Sequence, residues 1–220
     1  MRLLREFTAP HDCETALLEN KTTGERSVIV RGPFAVAEAK NKNGRVYPAE
    51  ILERECYKLN KMIAENKLTG ELDHPEKPDV LLQNAAIKIT SLSRSGNNFL
   101  GEARIMKETP KGAIAYALAK EGITFGTSTR GLGSTEIRES TTYVKADFNW
   151  LTNDLVADPS APGAWVESIM EKAAYFIEEG YIKENVHQTY LNKIHNLSKE
   201  EGASFDAKVL ALFESFIKQI

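Results

Sequence analysis

The sequence predicts an α+β fold in which a strand-rich region precedes a helical tail. Segments of β-branched or alternating apolar residues recur between residues 27 and 158, and two helical patterns interrupt them. The order lacks the regular alternation of strand and helix that a parallel sheet requires. Beyond "DPSAPGAW" (158–165), the apolar residues follow helical spacing instead. We therefore predict a strand-rich domain over residues 1–163 and a helical C-terminal tail over residues 164–220.

The first predicted elements are two short strands and a helix. "SVIV" (27–30) and "FAVAEA" (34–39) have strand composition, and the glycine and proline between them predict a turn. "NKNGRVYP" (41–48) predicts a polar loop whose proline suits the first turn of a helix. Apolar residues at helical spacing then predict a helix that runs to about residue 66.

The next predicted elements are a hairpin, a second helix and further strands. "AAIKITSL" (85–92) and "NFLGEARIM" (98–106) form the hairpin around a glycine turn. "KGAIAYALAKEG" (111–122) predicts a compact helix that ends at its last glycine. Strand composition returns in residues 123–134 and 141–158.

Three apolar stripes at helical spacing predict amphipathic helices in the tail. They consist of Val166, Ile169, Met170, Ala173 and Phe176; of Val186, Tyr190, Ile194 and Leu197; and of Val209, Leu212, Phe213, Phe216 and Ile220. Short helices must bury such stripes, either against the strand-rich body or against another chain. We expect a homo-oligomer, and a tail that docks, oligomerises or is removed by self-processing.

Composition excludes several classes of partner. A formal net charge of -3 supplies no basic surface, so we expect no nucleic acid partner. No apolar run approaches the roughly 20 residues that span a bilayer, and the first residues lack a signal-peptide pattern. Cys13 and Cys56 lack CxxC spacing, which argues against zinc ribbons and suits a reducing compartment. These features predict a soluble intracellular protein without a membrane contact.

The stretch "GELDHPE" (70–76) places Glu71, Asp73, His74 and Glu76 within seven residues. A zinc site usually needs two or three histidine or cysteine ligands, and the sequence offers no second cluster. A solvated acidic loop is the plainer interpretation of this stretch by itself. The third interpretation is the general base of an enzyme.

A second candidate segment is "FGTSTRGLGS" (125–134). In a strand, Ser128 and Arg130 share one face while the threonines that flank Ser128 share the other. A serine nucleophile needs a base for its proton and fixed donors for the developing oxyanion. Gly131 permits a close approach of backbone N–H groups. The alternative is a polar edge strand followed by a glycine turn.

Four blocks together carry a family resemblance: "NKNGRVYP", "GELDHP", "GTSTRGLGS" and "DPSAPGAWV", spread over residues 41–166. In order and spacing they resemble the prohead core proteases of T-even-like tailed phages, which share the herpesvirus assemblin fold. The resemblance implies a serine endopeptidase on a small, mostly antiparallel β-barrel flanked by helices. We expect no cofactor and no metal.

The resemblance also implies roles for individual residues. His74 matches the histidine of the family's "GEL(N/D)HP" block, and Ser128 matches its nucleophile, although Thr129 stands where the family often has a second serine. Asp154 matches an acidic residue five positions before Pro159, and Asp147 and Asp158 compete with it for this role.

Several neighbouring residues keep two interpretations. Arg130, with the backbone at Gly131, would hold the oxyanion directly or through water. Glu71 and Asp73 either tune the histidine or belong to a solvated loop, and the loop is favoured. Arg45 and Tyr47 either shape the substrate cleft or end the strand and start the helix; we favour the second.

The family's substrates are phage scaffold or core proteins, capsid precursors and the protease itself, cut after glutamate in (Leu/Ile)-x-Glu. The implied location is the prohead interior, assembled in the host bacterial cytoplasm. Candidate self-cleavage sites are Leu17-Leu18-Glu19, Ile182-Lys183-Glu184 and Leu212-Phe213-Glu214. Two rival functions remain: a non-enzymatic scaffold or assembly protein with a vestigial protease fold, and a metal-dependent hydrolase centred on "GELDHPE".

Overall fold

A computed structural model of the chain describes residues 1–8, 13–19, 26–73, 77–156, 175–178 and 181–184. The described residues belong to two compact units: those from Leu4 to Val156 form one, and Met1–Leu3 with the short segments after residue 174 belong to the other. Among the helices that the structure describes, none is both long and apolar enough to cross a membrane.

Strands dominate the larger unit, and two α-helices interrupt them. The elements are β1 (Arg2–Thr8), β2 (Glu14–Glu19), β3 (Arg26–Val36), β4 (Arg45–Val46), α1 (Ala49–Ala64), β5 (Thr69–Glu71), a short 3-10 helix (Leu82–Asn84), β6 (Ala85–Ser95), β7 (Asn98–Ile105), α2 (Pro110–Lys120), β8 (Gly126–Gly133), β9 (Thr135–Arg138), β10 (Thr141–Val144) and β11 (Asn149–Val156).

The strands form three sheets. One has five strands in the order β2-β3-β7-β6-β5, the second has the order β1-β8-β11, and the third has the order β4-β10-β9. Pairing is antiparallel throughout the five-stranded sheet, and β4 pairs with β10 in parallel. The predicted α+β class and mostly antiparallel pairing are confirmed. Over the residues that the structure describes, the sheets remain separate and no closed barrel is seen.

The core is aromatic and aliphatic, and α1 covers part of it. Its largest fully buried apolar side chains are Trp150, Phe34, Phe99, Phe125, Phe148, Leu52, Leu59 and Leu68. The apolar stripe of α1 packs towards β6 and β11, so the helix supports the strand that carries Asp154. Burying a leucine or phenylalanine side chain contributes about 1.5–3 kcal/mol. This core therefore fixes the sheets on which the candidate site depends.

Several predicted elements are confirmed with small changes at their ends. Pro48 occupies the N-cap position of α1, which ends at Ala64 instead of about residue 66. The hairpin β6–β7 turns at Gly96, where φ is +61°. Helix α2 is followed by Gly122 with φ +84°, a left-handed conformation that glycine adopts without a steric cost.

The turn predicted at Gly32 and Pro33 is wrong, because β3 runs through both residues without interruption. Proline cannot donate a ladder hydrogen bond, and the register with β7 shifts between Pro33 and Ala35 as a β-bulge. The Phe34 carbonyl there accepts hydrogen bonds from Thr129 Oγ1 at 2.7 Å and from Asn153 Nδ2 at 2.9 Å. Side chains distant in sequence therefore stabilise an irregularity that local sequence presents as a turn.

The second unit contains an antiparallel hairpin of β12 (Tyr175–Glu178) and β13 (Tyr181–Glu184). Phe176 was predicted on a helical stripe but lies in β12, so the helical prediction is wrong there. Both segments combine aromatic and β-branched residues, which are enriched in strands. The other residues of the predicted tail stripes lie outside the described residues, and the boundary near residue 163 stays a prediction.

Candidate active site

Ser128 on β8 lies directly opposite Asp154 on β11. Residues paired in this way have Cβ atoms about 4.5–5.5 Å apart and share one face of the sheet. The side chain of Thr129 points to the other face, where its hydroxyl donates to the Phe34 carbonyl. The alternation predicted for β8 is thus confirmed. The edge-strand alternative is wrong, because β8 lies between β1 and β11.

The stretch before His74 runs along β11. Gly70 lies so close to β11 that a Cβ atom would sit 1.9 Å from the Asn153 carbonyl oxygen, so only glycine fits there. Leu72 forms a parallel bridge with Leu155, and the Asp73 amide donates to the Leu155 carbonyl at 2.8 Å. Asp73, the residue directly before position 74, is therefore hydrogen-bonded to the strand that carries Asp154.

Asp73 adopts φ +63°, in the left-handed region. Asparagine and aspartate are the residues other than glycine that tolerate this conformation best. This backbone conformation therefore favours aspartate or asparagine at position 73. Its side chain is exposed, in keeping with the loop interpretation.

A buried charge cluster lies beside Ser128. Ser128, Arg130 and Asp154 are each 0% exposed, and Arg130 Nη2 is 2.9 Å from Asp154 Oδ1. The same oxygen accepts the Glu71 amide at 3.0 Å. Arg130 Nη1 donates to the carbonyls of Lys77 at 3.2 Å and Asp79 at 3.1 Å. The Arg130 guanidinium thus connects Asp154 to the segment that follows residue 76.

Glu71 is the second carboxylate of this cluster. Its Oε1 accepts the Leu81 amide, and its Oε2 lies 3.8 Å from Arg130 Nη1. Burial raises the pKa of Glu71; the Leu81 hydrogen bond and the Arg130 charge lower it, and the Asp154 charge adds to the rise. The favoured assignment of Glu71 to a solvated loop is therefore wrong, because the residue is buried and its Oε1 accepts a backbone amide.

Two buried polar atoms of β8 have no hydrogen-bond partner in the part of the chain that the structure describes. They are Ser128 Oγ and Arg130 Nε, from residues that share one face of the strand. His74 and Glu76 lie outside the described residues, as does Asp158. The contact between position 74 and Ser128 is therefore a prediction that the structure leaves untested.

Asp147 occupies a different place. Its two carboxylate oxygens accept the Ser134 amide at 2.9 Å and the Ser134 hydroxyl at 2.6 Å, which fixes a loop between strands. Ser134 follows Ser128 by six residues, which corresponds to about 20 Å along an extended strand. The structure thus brings Asp154 to Ser128 and leaves Asp147 at the far end of β8.

Gly131 has a packing reason in addition to the one inferred from sequence. A Cβ atom there would lie 2.5 Å from a ring carbon of Phe148. Phe148 in turn packs edge-to-face on Tyr47, with ring centroids 5.1 Å apart. The glycine at this position allows the Phe148 ring to cover β8, whatever its backbone contributes to the oxyanion.

Two buried glutamates were missed by the sequence analysis. Glu6 Oε1 accepts from Arg45 Nη1 and Tyr47 Oη, each at 3.0 Å, which supports the structural role favoured for those two residues. Glu55 Oε2 accepts the Trp150 amide at 2.9 Å. Glu55 lies within the apolar stripe of α1, and a charged residue at such a position could have indicated a buried glutamate. No sequence feature indicated that Glu6 is buried.

Over the described residues, no group of three or more histidine, cysteine, aspartate or glutamate side chains could hold a metal ion. Glu71 is one of the four possible metal ligands in "GELDHPE". Its carboxylate already accepts the Leu81 amide and lies near Arg130.

The chain matches the model of the family described as prohead core protein serine protease over residues 14–174, and it belongs to that family. It is therefore a peptidase, and the resemblance inferred from the four sequence blocks is confirmed.

Two relatives from phage T4 are similar to the chain. The prohead core protein protease of Enterobacteria phage T4 is 36% identical over 143 residues, which cover 63% of this chain and 68% of the relative. The solved structure of the bacteriophage T4 capsid assembly protease gp21 superposes with a TM-score of 0.65 at 27% identity. That match covers 72% of this chain and 98% of gp21.

Proposed function

We propose that the protein is a serine endopeptidase of prohead maturation. It cleaves phage scaffold or core proteins, capsid precursors and itself after glutamate in (Leu/Ile)-x-Glu sites. It acts inside the prohead, which assembles in the host bacterial cytoplasm. The observation that carries the proposal is the register that sets the buried Ser128 opposite Asp154; the family and the two T4 relatives support the substrates and the location.

In this proposal Ser128 is the nucleophile and His74 the general base. An unperturbed histidine has a pKa near 6.5, so it can accept the serine proton and return one to the leaving amine. Asp154 would fix the tautomer of the imidazole and stabilise its protonated form. Support comes from the hydrogen bonds that tie Asp73 to β11 and the Lys77 carbonyl to Arg130, on either side of position 74.

The oxyanion would be held by Arg130 and the backbone at Gly131, directly or through water. Both terminal nitrogens of Arg130 already have partners, so this proposal assigns Nε to the oxyanion. Ser128 is 0% exposed, and the proposal therefore requires that this face open to admit a peptide.

The decisive experiment is Ser128→Ala, assayed on a synthetic peptide that contains one (Ile/Leu)-x-Glu site. Loss of a triad nucleophile lowers kcat by about 10⁴- to 10⁶-fold, and we expect a loss on that scale. Ser93→Ala, a change of an exposed serine on β6, should leave the rate unchanged.

Mass spectra of the purified wild-type and Ser128→Ala chains show self-cleavage and its positions in the same samples. Retained peptide cleavage by Ser128→Ala would refute the serine mechanism, and inhibition of the wild type by a chelator would favour the metal-dependent hydrolase. A wild-type chain inactive on scaffold and capsid proteins would favour the vestigial assembly protein.

A further inference from the structure

We infer that Arg130 and Glu71 are positioning residues that together hold Asp154 and the loop 73–81 in one arrangement. The inference rests on the proposed function, in which this loop carries the general base. It assigns to the terminal nitrogens of Arg130 a task separate from oxyanion binding. Neither residue needs to touch the substrate for this task.

The contacts attach the loop at both ends. At its start, the Asp73 amide donates to the Leu155 carbonyl, and the preceding Glu71 amide donates to Asp154. At its end, the Lys77 and Asp79 carbonyls accept from Arg130 Nη1. The Leu81 amide closes the loop by donating to Glu71 Oε1.

The chemistry requires a guanidinium at position 130. Its planar fork donates to one carboxylate and two carbonyls in different directions, whereas a lysine ammonium is a compact charge on a flexible stem. The two side chains that make these contacts are buried, since Arg130 is 0% exposed and Glu71 is 1% exposed. A buried charge that loses its partner is costly, so the two carboxylates and the guanidinium depend on one another.

Catalysis is sensitive to such positioning. A misplacement of about 1 Å, caused by a change away from the reacting atoms, can lower the rate about 100-fold. The loop 73–81 has its first attachment on β11 and its last on Glu71 of β5, so Arg130 on β8 supplies the link to the strand of the nucleophile. Loss of either positioning residue should loosen the same loop.

Two substitutions test the inference without removing a side chain's bulk: Arg130→Lys and Glu71→Gln. Exchange of the Leu81 amide with deuterium should be faster in both variants, measured by mass spectrometry on peptides that cover residues 77–84. Glutamine keeps an acceptor for this amide but loses the charge that strengthens the hydrogen bond, so Glu71→Gln weakens the contact without abolishing it. On a peptide substrate, kcat of Glu71→Gln should fall about 100-fold while KM stays within about threefold, because Glu71 makes no substrate contact in the proposed function. Arg130→Lys also removes Nε, so its kcat should fall at least as far. The double variant should be no more than about threefold worse than the worse single variant, because both changes release one loop.

The exposed pair of Arg94 and Glu53 gives matched controls. Its atoms are 2.7 Å apart on the surface, and Arg94→Lys and Glu53→Gln should leave both Leu81 exchange and kcat unchanged. Glu71→Asp is a second test at position 71, since it keeps the charge but is too short by one methylene to reach the Leu81 amide in the same way. Leu81 exchange and kcat in Glu71→Asp should change in the same direction as in Glu71→Gln. This variant still tests the inference if Arg130→Lys does not fold.

Unchanged exchange of Leu81 in the Glu71 variants would overturn the inference. So would a kcat that stays equal to the wild type or rises, or losses that multiply in the double variant. Hydrogen exchange is measured without substrate, so it tests the loop attachment even if Ser128→Ala proves active and the serine mechanism fails.

Discussion

Ser128 faces Asp154 because of a β-bulge in β11. Between Trp150 and Thr152 the register with β8 shifts by one residue, and beyond that point Asp154 pairs with Ser128. Without the shift, the register before the bulge would set Asp154 opposite Thr127, whose side chain points to the other face. The bulge is therefore the feature that brings the acid and the proposed nucleophile together.

The first prediction separates the candidates for the acidic residue. Asp154→Asn should lower kcat by about 10³- to 10⁴-fold, because an amide at this position no longer fixes the histidine tautomer. Asp147→Asn is the control. It weakens the hydrogen bonds with Ser134, so the free energy of unfolding should fall by about 1 kcal/mol while kcat stays unchanged. Steady-state assays and urea unfolding of both variants give the measurements. The reverse pattern would transfer the role to Asp147.

The second prediction concerns the support of the bulge. The Trp150 amide at the bulge donates to Glu55 of α1, and removal of this buried acceptor leaves the amide unpaired. Glu55→Ala should cost about 1–3 kcal/mol in the free energy of unfolding and lower kcat as well. Glu55→Gln keeps an acceptor, so its losses in the free energy of unfolding and in kcat should both be smaller. Glu53→Ala on the same helix removes an exposed ion pair worth about 0–1 kcal/mol and serves as control.

If Glu55→Ala unfolds more readily but keeps its full kcat, the helix contact stabilises the fold without setting the register. A crystal structure of that variant would show directly whether Ser128 still opposes Asp154.

Features of the site that follow from period-two alternation and from the order of the motifs were predictable from sequence. Features that depend on contacts between distant segments were not. The faces of Ser128 and Thr129 follow from alternation alone. The bulge that aligns Asp154 is hydrogen-bonded to Glu55 of α1, and the continuous strand at Pro33 is hydrogen-bonded to side chains of β8 and β11.

The predicted turn at Pro33 and the predicted solvated state of Glu71 failed for the same physical reason. Local composition at both positions is polar or strand-breaking, but distant groups satisfy the hydrogen-bonding atoms and exclude water. A single sequence shows the residues that need partners and does not show where those partners are.

The third prediction separates backbone conformation from charge at Asp73. Asp73→Gly removes the carboxylate and keeps access to φ +63°, so kcat should stay within about threefold. Asp73→Ala also removes the carboxylate, but alanine in the left-handed region costs about 1–2 kcal/mol, and both stability and kcat should fall. Asp73→Asn should match the wild type. Equal losses in the glycine and alanine variants would instead show that the charge is required.

The fourth prediction is a pH dependence of stability that comes from Glu6. Burial raises the pKa of Glu6, although Arg45, Asn43 and Tyr47 oppose the shift. A raised folded-state pKa means that the protonated form stabilises the fold. This contribution is complete below the unfolded-state pKa of about 4.3 and is lost as pH rises through the folded-state value.

The wild type should therefore lose more unfolding free energy between pH 5 and pH 7 than Glu6→Gln does. Urea unfolding at both pH values measures the difference, and other groups, including Glu71, cancel because they are present in both proteins. Glu14→Gln changes an exposed glutamate of β2 and should keep the wild-type slope. Equal slopes for Glu6→Gln and the wild type would show that Glu6 is ionised in the fold across this range.

The fifth prediction concerns self-cleavage at Leu17-Leu18-Glu19. These residues lie in β2, where Leu18 pairs with Ser27 of β3, and the candidate site Ile182-Lys183-Glu184 is likewise paired, in β13. The third candidate, Leu212-Phe213-Glu214, lies outside the described residues. A protease binds its substrate as an extended segment, so β2 must leave its ladder before the bond after Glu19 can be cut.

Wild-type enzyme should cut that bond in a folded Ser128→Ala chain at least about tenfold more slowly than in a free peptide of residues 13–25. A factor of ten corresponds to 1.4 kcal/mol of local opening. Ser27→Pro in the substrate chain is incompatible with a regular ladder opposite Leu18, and it should restore much of the peptide rate. Equal rates for the folded chain and the peptide would mean that β2 opens freely, and cleavage after Glu19 would then need no loss of structure.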